Sequence, residues 1–389
     1  MSLPSATAIV RTRSDRRIRS TPLGESKMSK SVPGTLRARF DFIVYIGRLT
    51  PPHVGHIASI ERALELADKV IVVLGSADRP RSIKDPWTVN ERKVMIRHSL
   101  SKDAAARVIV ASVADRMYND AQWLLDVQRT VSAAVAETGA DPAATAIGLI
   151  GLSKDASSFY LDMFPQWPRV SVGFVDGLSA TELRDIYFGL SGDDSADRGP
   201  WMKLEASVPE PVIAWLKTFR ASAEYERLAG EWRFIRDYRA AWSAAPYPPT
   251  FVTTDAVVVH SGHILLIRRR AAPGKGLWAL PGGFVGQDER LQDAAIRELV
   301  EETGLKLPEK VLRGSITASH VFDHPNRSLR GRTVTHAFHF DFPAGELPRV
   351  KGGDDADKAQ WFPLAQLEGM RSMLFEDHFD IINYFIGGV

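Results

Sequence analysis

Five short apolar runs in the first half of the chain constrain its fold more than any other feature. They are FDFIVYIG (40–47), KVIVVLGS (69–76), RVIVASV (107–113), TAIGLIG (145–151) and RVSVGFV (169–175). Continuous apolar runs of this kind are expected of strands buried on both faces of a parallel sheet. Helical stretches separate them. One apolar-periodic stretch reaches about Asp68, and Thr88 with Glu91 forms a capping box that opens another. Strands alternating with helices predict an α/β fold with a doubly wound, Rossmann-like parallel sheet, whose ligands bind at the carboxyl ends of the strands.

The 389 residues leave room for a second domain. APYPPT, Ala245–Thr250, reads as a linker. The chain then divides into a disordered basic arm at 1–38, a first domain at 39–245 and a second at 246–389. The arm carries Arg11, Arg13, Arg16, Arg17 and Arg19 among Ser, Thr and Pro, and Met28 is an alternative start. Residues 190–208 read as a loop. Residues 209–242 read as mostly helical, with Trp215, Phe219, Tyr225, Trp232, Phe234 and Tyr238 packed to close the first domain. In the second domain, TDAVVVHSGHILLIRRR suggests a hairpin around a Ser-Gly turn.

Composition excludes several classes. A net charge of only +2 leaves no overall electrostatic footprint for nucleic acid. The absence of cysteine excludes disulfides, thiolate metal sites and thiol catalysis, and fits a reducing cytoplasm. No apolar run is long enough to span a bilayer, and the first residues lack the apolar core of a secretory signal.

The chemistry-bearing residues of the first domain follow its first strand. Gly47 and Arg48 lead to His53 and His56, and Gly55 between the histidines allows close backbone approach. A triphosphate docked at that helix N-terminus would meet free N–H groups, the helix dipole and two imidazoles. Alone, an H-x-x-H reads as ordinary core histidines or a metal pair. Here the whole string GRLTPPHVGH (47–56) resembles the G-R-x-x-P-x-H-x-G-H opening of the nucleotidyltransferase superfamily. Ser179, Thr181 and Arg184 fill its S-x-T-x-x-R element, and Ser179 with Glu182 reads as a second capping box.

The resemblance is closest to archaeal-type nicotinamide mononucleotide (NMN) adenylyltransferases. It implies that Ser179, Thr181 and Arg184 grip the ATP phosphates together with Gly47, Arg48, His53, Gly55 and His56. Lys84 stands where the family is usually cationic, and would neutralise the reacting phosphates. Asp115, Asn119 and Trp123 resemble the positions that hold the nicotinamide nucleotide; a core role for Trp123 stays equally open. Two departures stand out. Leu152 replaces a histidine of the GHxKDxSSYYLxxFPQW segment, and Leu49 replaces a commoner Phe. The KMSKS string at 27–31 is known from class I aminoacyl-tRNA synthetases, but it lies before the HxGH motif rather than after it, and reads as coincidence.

In the second domain the run GFVGQDERLQDAAIRELVEETGL (283–305) carries the acids. Asp288 reads as an N-cap, Glu289–Thr303 as a helix and Gly304 as its stop. Glu298, Glu301 and Glu302 at i, i+3 and i+4 would share one face, where they repel unless a hard cation sits between them. Arg297 could hold a carboxylate in position. This spacing is identified as the box of the Nudix hydrolases. The resemblance implies an α/β/α sandwich, Mg²⁺ or Mn²⁺ as cofactor on the three glutamates, and Glu301 and Arg297 as catalytic residues. The general base stays open between a box glutamate and an acid outside it. FDHPNRSLRGRTVTHAF (322–338) resembles ADP-ribose pyrophosphatases fused to NMN adenylyltransferases, implying that Arg327, Arg330 and Arg332 pair with phosphates.

The expected function is therefore bifunctional: NMN plus ATP to NAD and pyrophosphate, and ADP-ribose to AMP and ribose 5-phosphate. Expected partners are ATP, NMN and ADP-ribose, with no membrane and no nucleic acid; a homo-oligomer is left open. Two other readings remain at this point. One keeps both folds with different substrates, such as a dinucleoside polyphosphate or NADH. The other makes the chain a nucleotide-sensing regulator.

Overall fold

Each of the five apolar runs lies on a strand of one parallel sheet. The computed structural model describes residues 40–151, 156–171 and 179–387. The basic arm, the KMSKS string, Leu152 and the end of the fifth run lie outside the described residues. The first lobe runs β1 (Phe40–Gly47), α1 (Val54–Leu66), β2 (Ala67–Ala77), α2 (Val89–His98), α3 (Lys102–Ala106), β3 (Val108–Ala114), α4 (Asp120–Ala136), β4 (Ile147–Gly151) and β5 (Arg169–Ser171). The strand order is β3-β2-β1-β4-β5, all parallel. One face packs on α1 and α2 through Ile57, Ile60 and Ile96, the other on α4 through Val127, Val131 and Val135. Winding reverses between β1 and β4, so a crevice opens at their carboxyl ends.

Four helices follow: α5 (Ala180–Phe188), α6 (Asp194–Ser207), α7 (Glu210–Arg220) and α8 (Ala223–Ala241). The loop expected at 190–208 is largely α6. Gly199 and Pro200 argue against a helix there. Two other terms override them: Asp193 accepts from the Ser195 and Ala196 N–H groups as an N-cap, and Leu204 is fully buried against the aromatic cluster. That cluster gathers Phe219 and Tyr225 from the stripe with Trp87, Tyr187 and Phe188. The far end of the stripe changes partner. Tyr238 and Trp242 lie 5.7 and 5.3 Å from the Phe251 ring, in the next sheet. The 19 residues of α8 span about 28 Å, enough to serve both lobes.

The second lobe contains β6 (Thr250–His260), β7 (His263–Arg269), β8 (Trp278–Ala279), β9 (Gly282–Phe284), α9 (Leu291–Thr303), α10 (Glu309–Gly314), β10 (Ile316–Phe322), β11 (Arg332–Phe342), β12 (Ala356–Pro363) and α11 (His378–Ile386). They form a mixed seven-stranded sheet in the order β10-β11-β6-β7-β12, with β8 on β7 and β9 on β6. The Ser-Gly hairpin forms as expected: Ser261 and Gly262 take φ of 47° and 72°, matching the twist of the flanking strands. Ala295 and Leu299 of α9 cover one face, and Ile381 and Ile382 of α11 cover the other. The box helix starts later than expected. Arg290, not Asp288, is its N-cap, because Glu289 folds back to accept from Gly286 N–H and Arg297. Both lobes belong to one compact unit.

Leu204 tests the override that creates α6. Leu204→Ala removes a side chain with 0% exposure. It should cost about 2–5 kcal/mol in urea unfolding. A loss near zero would mean that α6 is held by its cap alone.

Candidate active sites

The loop leaving β1 reaches the crevice in a forced conformation. Leu49 sits at φ 50°, and Ser76 and Asp78 at the end of β2 sit at 51° and 57°. Non-glycine residues there cost on the order of 1–3 kcal/mol each and persist only when over-determined. A Cβ on Gly47 would lie 2.7 Å from Leu49 Cδ1, so any larger residue there would displace the Leu49 side chain. Arg92 supplies the constraint. Only 1% exposed, it donates to the carbonyls of Arg48 (2.6 Å), Gly75 (2.9 Å) and Ser76 (3.4 Å). One guanidinium thus satisfies the ends of β1 and β2 together.

His53 is the N-cap residue of α1, and Gly55 and His56 lie in its first turn. The His53 N–H donates to Nδ1 of His56 at 3.2 Å, and the two rings stack with centroids 3.5 Å apart. Burial, then His53, holds His56 well below the usual imidazole value. His56 is therefore neutral, accepts at Nδ1 and carries its proton at Nε2. Arg184, 8% exposed, donates to the Thr50 carbonyl at 2.5 Å and hydroxyl at 3.3 Å, and to the Thr181 hydroxyl at 3.1 Å. The two halves of the motif, 134 residues apart, meet in that guanidinium. Burial above all pushes Arg184 down to about 10, and burial followed by Arg48 lowers Lys84. Exposed Arg48 completes the cationic group. The capping box expected at Ser179 does not form. Ser179 is the N-cap without a side-chain bond, and Glu182 pairs with Lys203 of the unforeseen helix α6 at 2.5 Å.

The three residues expected at the nicotinamide end are each committed to the fold. Asp115 accepts from the Ser76 N–H (3.0 Å) and hydroxyl (2.8 Å) and faces Arg79 at 3.1 Å. Asn119 caps α4, its Oδ1 accepting from Gln122 N–H at 2.9 Å. Trp123 packs edge-on against Tyr160 and Phe164, 6.1 and 5.9 Å away. Of its two readings, core packing is the one this structure presents.

In the second lobe a cavity of about 440 Å³ opens beside α9. Gly282 and Gly283 form its wall because nothing larger fits: a Cβ would lie 2.2 Å from the Thr254 carbonyl and 2.5 Å from Glu298 Oε1, respectively. Glu302 accepts from Gly282 N–H at 2.9 Å. Burial, reinforced by Glu298, pushes Glu302 up to about 8, and burial raises Glu298 too. Glu301 is the more exposed of the acids, its side chain 44% accessible against 12% for Glu298. Arg297 bonds Glu289 (2.7 and 2.9 Å) and, through one nitrogen, both Glu298 and Glu301 (2.9 Å each), so it holds the box carboxylates in position as expected. Among the described residues, no three carboxylates or imidazoles form a ready-made metal cage.

The three arginines of the basic loop separate. Arg330 lines the cavity, lies over the Phe284 ring at 5.0 Å and has a buried Nε without a partner. Arg327 also lines it, but Nε and Nη2 are both spent on Asp377 at 2.9 Å. Arg332, at the start of β11, stays outside the lining and bonds Asp323. A basic run in sequence therefore delivers two guanidinia to the cavity, Arg330 and, with two of its nitrogens committed, Arg327.

Two family models match the chain: a NUDIX domain at residues 250–385 and a cytidylyltransferase-like domain at 44–171. A nicotinamide/nicotinic acid mononucleotide adenylyltransferase of Acinetobacter baylyi is 35% identical over 196 residues, which is 50% of this chain and 95% of that protein. An ADP-ribose pyrophosphatase of Methanocaldococcus jannaschii is 41% identical over 116 residues, 30% of this chain and 63% of that protein. A crystal structure spans both lobes at once. It is a bifunctional NMN adenylyltransferase/ADP ribose pyrophosphatase from Francisella tularensis, complexed with AMP and Mn ion. The match has 32% identity and a TM-score of 0.78, over 89% of this chain and 98% of that one. The chain belongs to this bifunctional NMN adenylyltransferase/ADP-ribose pyrophosphatase family.

Between the transferase lobe and the Nudix lobe lie residues that carry no motif. Arg79 faces Asp115 on one side, and on the other reaches the Glu376 carbonyl (3.3 Å) and Asp380 (3.6 Å). Tyr118 donates to Asp377 at 2.6 Å. A smaller inter-lobe cavity is lined by Arg79, Lys84, Glu231, Gly274, Arg327 and Glu376. Contacts across such sequence distances leave no local pattern. Arg92 did leave one: it shares the buried phase of a capped helix with Met95 and Ile96.

Asp380 gives this joint a pH signature. Burial outweighs Arg79 at 3.6 Å and Arg371 at 3.9 Å, and pushes its carboxyl from 3.8 up to about 6. A group raised on folding contributes stability fully present below its unfolded value and lost as pH rises through its folded one. The unfolding midpoint of Asp380→Asn should match wild type near pH 4, exceed it increasingly up to about pH 6 and keep a constant margin above that. A difference that shrinks with pH would reverse the assignment.

Proposed function

We propose that the protein is a bifunctional enzyme of NAD metabolism. The transferase lobe, residues 39–245, joins NMN to the adenylyl group of ATP, giving NAD and pyrophosphate. The Nudix lobe, residues 246–389, hydrolyses ADP-ribose to AMP and ribose 5-phosphate. One observation carries this reading: a single chain holds a cationic crevice joined by Arg184 and, separately, a buried acidic cavity on α9. The Francisella protein, similar across both lobes, is named for both activities.

In the crevice, the ATP phosphates would sit at the α1 N-terminus, with His53 and the Nε2–H of His56 beside them. Arg48, Lys84 and Arg184 would balance their charge, with the Ser179 and Thr181 hydroxyls and the Gly47 and Gly55 backbone nearby. An NMN phosphate oxygen attacks the α-phosphorus in line, and the bond to the departing pyrophosphate breaks. The work is positioning and charge stabilisation, with no covalent intermediate. Asn119, whose oxygen caps α4, would offer its amide nitrogen to the nicotinamide carboxamide. Asp115 would hold Ser76 and Arg79 in place, and Trp123 would back the pocket.

A divalent cation, Mg²⁺ or Mn²⁺, belongs to the second reaction, and the donor set fits it. Glu298 and Glu302 are hard oxygen donors, buried together with raised pKa values beside glycines that leave them room. Glu298, Glu302 and Glu301, released by Arg297, would hold the ion. When bound it would screen the pyrophosphate and acidify a water. Arg297 would then fix the box carboxylates, and Arg330, which lines the cavity, would grip a phosphate. No helix among the described residues is long and apolar enough to cross a membrane. A cytoplasmic setting with small nucleotides as partners completes the proposal.

Product chromatography with Mg²⁺ tests both halves. Wild type should form NAD from NMN and ATP, and AMP from ADP-ribose. His56→Ala should lose about 100-fold of the first activity and keep the second, and Glu301→Gln the reverse. Absence of both products in wild type would overturn the reading, and joint loss in either variant would contradict separate sites.

A further inference from the structure

We propose that Tyr118, a residue of the transferase lobe, is a positioning residue for the Nudix site. Through Asp377 its hydroxyl fixes Arg327 in the cavity wall, so the Nudix site is complete only with the transferase lobe docked. The inference rests on the proposed ADP-ribose activity.

Tyr118 lies in the turn between β3 and α4, where its own lobe gives the ring no core to enter. The side chain crosses the joint instead. Its ring meets Phe322 of β10 edge-on at 4.9 Å and packs against the Nudix core cluster of Leu280, Phe322 and Phe379. Its hydroxyl donates to Asp377 Oδ2 at 2.6 Å, a short charge-assisted bond. Asp377 has 0% exposure, and it also accepts from Arg327 Nε and Nη2 at 2.9 Å each. Its two oxygens therefore hold three donors, one from the other lobe.

Arg327 is where this arrangement meets the ligand space. Its side chain is 3% exposed, yet it lines both the Nudix cavity and the smaller inter-lobe cavity. Its guanidinium also stands 4.0 Å from Asp255, whose Oδ2 is held by the Thr335 hydroxyl at 2.6 Å. With Nε and Nη2 spent on Asp377, Nη1 is the nitrogen left to meet a polyanion. Its direction is set by the plane of the Asp377 carboxylate. Without the Tyr118 hydroxyl that carboxylate keeps only the arginine, and the pair can swing together. With the hydroxyl, the plane is fixed from across the joint, as a supporting group fixes a ligand-facing one.

Tyr118→Phe in the full chain keeps the ring and removes the bond. The KM for ADP-ribose should rise about tenfold, the loss expected of one hydrogen bond to a charged group, with kcat within about twofold. Adenylyl transfer should be unchanged. In an Arg327→Lys background the same substitution should add little, because its effect passes through that side chain. An unchanged KM overturns the proposal. An equal fall in both activities also overturns it, making Tyr118 only a strut between lobes. Absence of ADP-ribose hydrolysis in wild type would defeat the functional reading alone. The positioning role is then read from calorimetric binding of ADP with Mn²⁺, where weaker binding in Tyr118→Phe supports it and equal binding overturns it.

Discussion

A guanidinium and a carboxylate buried together in the Nudix lobe, Arg327 on Asp377, frame one of the two cavities, and the Tyr118 hydroxyl of the other lobe bonds the same carboxylate. Removing one partner of such a pair costs about 3–5 kcal/mol, because the other charge is left stranded away from water. The pair stands beside bonds that do cross the joint. Arg79 spans from Asp115 to Glu376 and Asp380, and Arg239 of α8 donates to the Leu329 carbonyl at 2.9 Å. Hydrogen bonds with set donors and acceptors allow one docking geometry, where an apolar seam alone would allow several.

The two pockets obey one electrostatic rule with opposite sign. In the crevice, burial lowers Lys84 and Arg184, so each cation is held under some strain. In the cavity, burial raises Glu298 and Glu302, so each anion is. Both arrangements are costly when empty and relieved by a ligand of the other sign: phosphates in the first, a hard cation in the second. Backbone strain follows the same distribution. Leu49, Ser76 and Asp78 adopt left-handed φ where strands one and two end at the crevice, and Glu376 does so between the cavities.

The sequence announced the strands because burial on both faces leaves no polar positions to blur the run. It announced the two motifs because phosphate and metal chemistry fix residue types at short spacing. It was less informative wherever a side chain has a choice of partner. Glu182 follows Lys203 of α6 rather than the cap of its own helix, and Arg332 follows Asp323. Trp123 satisfies both of its sequence readings by type, and its edge-on packing against Tyr160 and Phe164 has no local signal in the sequence. Helix α6 was hidden by its own Gly199 and Pro200, since the favourable term, burial of Leu204, depends on residues far away. Tyr118 and Asp377 are 259 positions apart, and nothing near either one signals the other.

The exposed connector at 243–248 has an unexpected status in view of α8. Trp242 and Phe251, on either side of it, already touch, and the ties at Arg79, Tyr118 and Arg239 owe nothing to chain continuity. A peptide bond cut there would nick the chain without releasing either half. The segment serves as a tether that raises the local concentration of two pieces already made to fit. Gene fission at this point, with both fragments made in the same cell, would leave the assembly to find itself.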